Sequence, residues 1–211
     1  MLPYTQVAPY FGQWGEDRWL VEHLRVPALG VFVDIGAGDG VRGSNSRYFE
    51  DAGWTGLCVD PDPRNQAALA RRRCSVRTCA VADSAGRRDF SMFDAKPSWS
   101  GLGERGEGYT LTTVECCTLD GLLDEAGIER IDLLSIDVEG NELDVWASFD
   151  ADRHQPGIVI VEYDDDRPER TARRIREVLG TERYELRHRT PANLILRGRD
   201  AESQRRWPDA R

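Results

Sequence analysis

The segment Val31–Ile35 is an uninterrupted β-branched and aromatic run that leads directly into the glycine-rich sequence Gly36–Gly40. Apolar runs of this length are typical of strands that are buried on both faces of a parallel sheet. Further runs of the same kind, at Gly56–Asp60, Ile131–Asp137 and Gly157–Tyr163, alternate with helical patterns along the chain. This alternation predicts an α/β fold built on a doubly wound, mostly parallel sheet.

The glycine-rich turn predicts a ligand site, because ligands of open α/β sheets bind at the carboxyl ends of the strands. Gly36 and Gly38 allow the backbone to approach a ligand closely and to expose its N–H groups. The dinucleotide pattern G-x-G-x-x-G is not met, because the third glycine, Gly40, falls one residue early. Asp34, just before the glycines, would repel a pyrophosphate but suits a positively charged ligand. The turn therefore favours S-adenosylmethionine, which carries an α-amino group and a sulfonium, over NAD.

Two further carboxylates follow the ends of the next predicted strands. Asp60 ends the second strand, at a position where a carboxylate can accept hydrogen bonds from the hydroxyls of a ribose. Asp83 follows a predicted third strand, Ser75–Val81, and this place neighbours the adenine in such folds. Each residue has an alternative role in a turn, Asp60 before Pro61 and Asp83 as an Asx turn.

Several segments together resemble those of the FkbM-type S-adenosylmethionine-dependent methyltransferases. The resemblance implies a Rossmann-like class I fold whose seven-stranded sheet has an antiparallel last strand. It also implies O-methylation, often of sugar or natural-product hydroxyls, and cofactor contacts from Gln13 and Asn45. Besides the glycine turn, the matching segments are Gly12–Asp17, Ser44–Ser46, Gly53–Asp62, Ser135–Glu142 and Ile158–Glu162.

The strand end Asp137-Val138-Glu139-Gly140 is the predicted acceptor site, since the acceptor enters class I methyltransferases near the ends of the fourth and fifth strands. Asp137 or Glu139 could take the hydroxyl proton as a general base, and Asp137 could also contact the cofactor. Alternatively, Asp137, Glu139 and Glu162 could together hold a divalent metal such as Mg²⁺, which prefers oxygen ligands. Among the three histidines, His188 is the best candidate for a catalytic base, because the closing hairpin can border the acceptor.

The composition bears on the remaining classes of partner. A net charge of -9 disfavours binding to nucleic acid, because the phosphate backbone is repelled. No run of roughly 18 apolar residues occurs, so a membrane-spanning helix is not expected. The N-terminal sequence has no signal-peptide pattern, and we expect a cytoplasmic protein. The oligomeric state is not constrained by the sequence.

Two alternatives stand beside a methyltransferase that acts on a small-molecule hydroxyl. One is a methyltransferase-like binding module without activity, although the intact glycine and acidic positions count against it. The other is a nicotinamide-dependent oxidoreductase, which the glycine spacing disfavours. This second class often uses a Tyr-x-x-x-Lys pair, and Lys96 is the only lysine of the chain.

The chain is expected to consist of an N-terminal cap at 1–25, a methyltransferase domain at 26–199 and a flexible tail at 200–211. The cap contains an amphipathic pattern around Asp17–Leu24, which predicts a helix. The tail is predominantly polar, which is typical of a frayed terminus.

Three other segments have open or modest roles. The glycine-dense segment 96–108 predicts a mobile loop, which is either passive or a lid anchored by Trp99 and Leu102. The Arg71–Arg73 run predicts the solvated end of a helix. The acidic run Asp164–Asp166 predicts a solvated loop more readily than a metal site.

Overall fold

The computed structural model describes residues 9–210 and contains strands and helices in regular alternation over most of this range. Within the described residues, no helix is both long enough and apolar enough to cross a membrane. The strands are β1 (Val31–Ile35), β2 (Thr55–Val59), β3 (Ser75–Arg77), β4 (Ala80–Val81), β5 (Gly86–Phe93), β6 (Gly101–Leu102), β7 (Tyr109–Cys117), β8 (Leu133–Ile136), β9 (Ile158–Glu162), β10 (Tyr184–Arg189) and β11 (Asn193–Gly198). The helices are α1 (Glu16–His23), α2 (Arg47–Asp51), α3 (Gln66–Leu69), α4 (Leu119–Ala126), α5 (Glu142–Ala147), α6 (Ala151–His154), α7 (Ala172–Leu179) and α8 (Ala201–Arg206).

The main sheet has seven strands in the order β10-β11-β9-β8-β1-β2-β3. The pairs β1–β2, β1–β8, β8–β9 and β2–β3 are parallel. The last strand, β11, is antiparallel to both of its neighbours, β9 and β10. The predicted class, a Rossmann-like doubly wound sheet with an antiparallel last strand, is confirmed. The strand order reverses between β1 and β8, so the expected ligand position lies where these two strands end.

Both faces of the main sheet are covered, because side chains alternate along each strand. On β1, Val33 and Ile35 pack into the core that contains α4, α5 and α7. Phe32 points to the opposite face and packs with Leu20 of α1 and Phe49 of α2. Fully burying a side chain of this size contributes roughly 1.5–3 kcal/mol. Because apolar side chains fill both faces of the sheet, the ends of the strands are the places where polar groups can meet a ligand.

A smaller sheet of the order β4-β7-β5-β6 stands beside the main one. Its centre is the antiparallel pair β5–β7, which runs from Gly86 opposite Cys116 to Phe93 opposite Tyr109. The prediction of one strand over Ser75–Val81 is wrong. The first part, β3, pairs with β2, whereas β4 pairs with β7. The chain thus leaves the main sheet between these two short strands.

The N-terminal cap is tied to the closing hairpin through a buried carboxylate. Helix α1 begins at Glu16, one residue before the predicted start. Glu16 is buried, and its Oε1 accepts a hydrogen bond from Asn193 Nδ2 at 2.8 Å. A bridge between Gly12 and Gly43 brings the cap against the glycine-rich turn. The domain boundaries stay a prediction, and residues 1–8 of the predicted cap lie outside the described residues.

The prediction of a flexible tail from residue 200 is wrong as far as residue 210. Residues Ala201–Arg206 form α8, and Trp207 after it is fully buried. The Trp207 ring lies 5.7 Å from the Trp54 ring, and Arg206 Nε lies 2.6 Å from Asp132 Oδ1. The burial of one large aromatic side chain holds this polar segment against the sheet.

We expect Trp207→Ala to lower the free energy of unfolding by about 3–5 kcal/mol, because it leaves a large cavity in the core. Urea denaturation measures this change. The matched control, Arg205→Ala on the exposed side of the same helix, should change stability by less than about 0.5 kcal/mol. A loss below about 1 kcal/mol for Trp207→Ala would show that the segment is dispensable.

Candidate active site

A cavity of about 340 Å³ opens at the carboxyl ends of β1, β2 and β8. Its volume lies within the range of roughly 300–1,000 Å³ that is usual for small-molecule sites. The predicted acceptor residues Glu139 and Glu162 line it together with the predicted cofactor residues. Of the latter, all but Asp83 line it: Gln13, Asp34, Gly36, Gly38, Asn45, Asp60 and Asp137.

The glycine-rich turn has the backbone conformation that its sequence requires. Gly36 and Gly38 have φ angles of 83° and 56°, in the left-handed region. A Cβ atom at Gly36 would lie 1.7 Å from the carbonyl oxygen of Asp137, so no larger residue fits there. A Cβ atom at Gly38 would meet nothing within 4 Å. This second glycine therefore borders open space that a ligand can fill.

Asp60 holds the glycine turn in place. Its Oδ2 accepts a hydrogen bond from Gly38 N at 2.9 Å, and its Oδ1 accepts from Asp62 N and Asn65 Nδ2, both at 3.0 Å. Burial raises the pKa of Asp60 to about 6. A carboxylate offers about four lone-pair positions, so these three bonds leave room for one more donor. Asp60 thus has the turn role and also the geometry to accept from a ribose hydroxyl.

Two buried oxygen acceptors lie at the base of the cavity. Asp34 Oδ2 accepts a hydrogen bond from Ser46 Oγ at 2.5 Å. Asn45 Nδ2 donates to Ser135 Oγ at 3.1 Å, while Asn45 Oδ1 is buried without a partner among residues 9–210. An unsatisfied buried acceptor costs about 1–3 kcal/mol, which a donor on a ligand would relieve. The site therefore fits a cofactor that carries an amino group, as S-adenosylmethionine does.

Three carboxylates face one another at the predicted acceptor end. Oxygen atoms of Asp137, Glu139 and Glu162 all lie within 4.8 Å of one another. Burial, and then repulsion from Glu162, raises the pKa of Glu139 to about 8. Burial and neighbouring carboxylates also raise the pKa values of Asp137 and Glu162. Glu139 has a φ of 60°, an unusual angle for a residue other than glycine, and this turn directs the chain around the cavity.

A buried arginine that the sequence did not single out stands behind this cluster. Arg170 Nε and Nη2 donate to the two oxygens of Glu142 at 2.9 and 3.1 Å, and Nη2 also pairs with Glu162. Glu142 Oε1 accepts in turn from Gly140 N at 2.9 Å. Arg170 thereby fixes the turn and compensates part of the negative charge. Because Arg170 lies in a polar stretch of the sequence, nothing in the local pattern indicated that it is buried.

The glycine-dense loop lies along the cavity, with Lys96 and Trp99 among the lining residues. Lys96 Nζ is 4.0 Å from the centre of the Trp99 ring. Arg105 joins the loop to the acceptor end, because its Nη1 donates to Trp99 O at 3.1 Å and its Nη2 to Glu139 O at 2.5 Å. This placement is the one that a lid requires, and its opening stays a prediction.

Two predicted site residues lie elsewhere, and both predictions are wrong in this structure. Asp83 lies on the surface and pairs with Arg88, whereas Ala80 and Val81 of the preceding strand β4 line the cavity. His188 stacks on Trp19, with ring centres 4.8 Å apart, where the hairpin faces the cap helix. Burial lowers the pKa of His188. Neither residue lines the cavity.

We expect Asp60→Ala to weaken the binding of S-adenosylhomocysteine by about tenfold or more, since it removes a charged acceptor and frees the glycine turn. Isothermal titration calorimetry measures this. Asp83→Ala is the matched control and should leave the affinity unchanged. Normal binding by Asp60→Ala would refute the ribose assignment.

The affinity for S-adenosylhomocysteine should fall as the pH drops through 6, because protonation removes the charge that accepts the ribose hydroxyl. With a pKa of about 6 in the free protein, we expect binding roughly fourfold weaker at about pH 5.5 than at about pH 7.5. Titrations at both pH values check this, and Asp60→Asn should show a flatter profile. An equally steep profile in that variant would assign the pH dependence to another group.

Comparisons with known proteins show which family this chain belongs to. Residues 34–188 match the model of the methyltransferase FkbM domain. The chain is 32% identical to the 2-O-methyltransferase NoeI of Sinorhizobium fredii (strain NBRC 101917 / NGR234), over 70% of this chain and 68% of that protein. A crystal structure described as a candidate rRNA methylase from Clostridium thermocellum covers 90% of this chain and 97% of its own, with 9% identity and a TM-score of 0.48. That likeness is too distant to indicate a substrate.

The extent of the family match decides between the enzyme classes that the sequence left open. It spans most of the main sheet and all of the cavity except the residues from the cap and Ala192. A nicotinamide-dependent oxidoreductase no longer applies. The chain belongs to the FkbM family of S-adenosylmethionine-dependent methyltransferases.

Proposed function

We propose that this protein transfers the methyl group of S-adenosylmethionine to a hydroxyl group of a small molecule, a glycosyl or secondary-metabolite acceptor. The observation that carries the proposal is the group of three carboxylates beside the glycine turn, in one cavity. The relative NoeI, a 2-O-methyltransferase by name, supports transfer to oxygen. A cytoplasmic location without nucleic-acid or membrane partners, as the composition leads us to expect, is part of the proposal.

The acceptor residues would provide a base. S-adenosylmethionine, when bound, supplies a methyl group on a positively charged sulfur and leaves as S-adenosylhomocysteine. A neutral hydroxyl must lose its proton as its oxygen is methylated. Glu139 lines the cavity, and its pKa of about 8 lies close to neutral pH, where a general base is most effective. The proton passes to this carboxylate or to the adjacent Asp137.

Orientation of the acceptor and exclusion of water from the cavity would provide the remaining rate acceleration. Holding an acceptor oxygen in line with the methyl group removes much of the entropic barrier. Trp99 and Lys96 from the loop and Gln13 from the cap border the same cavity. Arg105 ties the loop to Glu139, so closure and placement of the base are linked.

A divalent metal is the second candidate role for the same carboxylates. Their oxygens lie within 4.8 Å of one another, and hard cations such as Mg²⁺ prefer such ligands. Asp137 and Glu139 would hold the ion, which would polarise the acceptor hydroxyl. Glu162 is less available because it already pairs with Arg170.

We expect Glu139→Gln and Asp137→Asn to lower kcat by about a hundredfold or more, since each removes a group that acts on the acceptor. Release of S-adenosylhomocysteine from S-adenosylmethionine with a panel of methyl glycosides and phenols measures turnover. The affinity for S-adenosylhomocysteine should fall less than the rate. Asp166→Asn, on the exposed loop after Glu162, is the control and should keep full activity.

The same assay separates the alternatives. Loss of activity in EDTA, restored by Mg²⁺, would assign the carboxylates to a metal, whereas unchanged activity supports the base. Full activity in both variants would contradict the proposed acceptor site. Binding of S-adenosylhomocysteine without turnover of any acceptor would favour the inactive module.

A further inference from the structure

Arg72 is a buried cation in a run of arginines that the sequence assigned to a solvated helix end. Arg71 and Arg73 are exposed as predicted, but the Arg72 side chain is only 1% exposed. Removing an arginine from water is costly unless its charge is paired and its donors are used. The prediction that Arg72 is solvated is therefore wrong, and its buried contacts suggest that it has a specific role.

The guanidinium of Arg72 uses each of its nitrogens. Nε donates to Glu50 Oε2 at 2.9 Å, Nη1 to Gly40 O at 2.8 Å, and Nη2 to Ser46 Oγ at 3.0 Å. The pair with Glu50 balances the charge. The other two bonds are made to the glycine-rich turn and to the residue that precedes α2. Arg72 thus joins α3 to the elements that border the cavity.

Ser46 extends this chain of hydrogen bonds to Asp34. Because Ser46 Oγ accepts from Arg72, its own hydrogen is directed to Asp34 Oδ2, at 2.5 Å. Ser44 Oγ reinforces the link, at 3.4 Å from both Asp34 Oδ2 and Arg72 Nη1. The arginine reaches the carboxylate through hydroxyl groups, since its direct ion pair is with Glu50. This fixes the Asp34 rotamer. Burial raises the pKa of Asp34, and the hydrogen bond from Ser46 and the charge of Arg72 oppose that rise.

Where this network borders the cavity, hydrogen-bond acceptors are available to a donor on a ligand. Asp34 lines the cavity, and so does Asn45, whose buried Oδ1 has no partner within residues 9–210. Glu50 makes the direct ion pair with Arg72, and Ser46 links the guanidinium to Asp34, whose charge also raises the pKa of Arg72. A carboxyl group beside an amide oxygen suits a ligand ammonium group that donates several hydrogen bonds.

We propose that Arg72, acting through Ser46, positions Asp34 to accept the α-ammonium group at the amino-acid end of the cofactor. Arg72 and Ser46 are then positioning residues for cofactor affinity and selectivity. This inference rests on cofactor binding at the cavity and is independent of the acceptor. A merely structural Arg72 would affect every ligand of the cavity equally, whereas a positioning role affects ligands that carry the ammonium group.

Two ligands separate these roles: S-adenosylhomocysteine, and 5′-methylthioadenosine, which has the adenosine and the sulfur but no amino-acid end. We expect Ser46→Ala to lower the affinity for S-adenosylhomocysteine by about tenfold. The affinity for methylthioadenosine should fall by less than about twofold in the same calorimetric titrations. Arg72→Met should show the same selectivity. Arg73→Ala, a neighbour on the surface, should change neither affinity, and Asp60→Ala should weaken both.

Ser46→Ala keeps the test decisive if Arg72→Met fails to fold, because it leaves the pair of Arg72 and Glu50 intact. Thermal melting of each variant checks the fold. Equal weakening of both ligands by Ser46→Ala, or no weakening of either, would overturn the inference. Failure to find a methyl acceptor would count against the proposed function and leave this result unaffected, since no acceptor is present.

Discussion

The site depends on the close approach of two turns at the ends of adjacent parallel strands. Gly36 follows β1, Asp137 follows β8, and Asp137 N donates to Ile35 O at 3.0 Å. A side chain at residue 36 would overlap the Asp137 carbonyl oxygen. Because glycine stands there, the glycine turn and the carboxylate turn can touch. One cavity can then hold a cofactor on one side and an acceptor on the other.

Two buried arginines compensate part of the negative charge of the carboxylates that line the cavity. On the cofactor side, Arg72 pairs with Glu50 and reaches Asp34 through Ser46. On the predicted acceptor side, Arg170 pairs with Glu142 and Glu162. In each case one glutamate fixes the arginine, and the arginine is linked to a carboxylate at the cavity, through Ser46 in the first case and directly in the second. Such networks are costly to break, because loss of one partner leaves a buried charge uncompensated.

The sequence predicted the residues whose place follows from the topology alone. Asp34, Asp60 and Asp137 come at the ends of buried strands, and parallel strands that pair must present these ends at one edge. The glycine spacing and the carboxylate at the start of the turn then indicated the kind of cofactor. Glu139 and Glu162 follow from the same rule.

The residues that were mispredicted depend on contacts that a local pattern does not contain. Asp83 is turned to the surface by its pair with Arg88, although strand β4, which ends two residues earlier, lines the cavity. His188 follows a register irregularity in β10 and meets the cap helix instead. Arg72 and the tail looked solvated because their neighbours are polar. The lone Trp207 was the available signal that the tail packs.

A crystal structure with S-adenosylhomocysteine would test both halves of the cavity at once. We expect the ribose hydroxyls on Asp60, the amino-acid end at Asp34 and Asn45, and the sulfur facing the carboxylates of Asp137 and Glu139. A ligand bound in another place, or one whose sulfur points away from these carboxylates, would contradict this expectation.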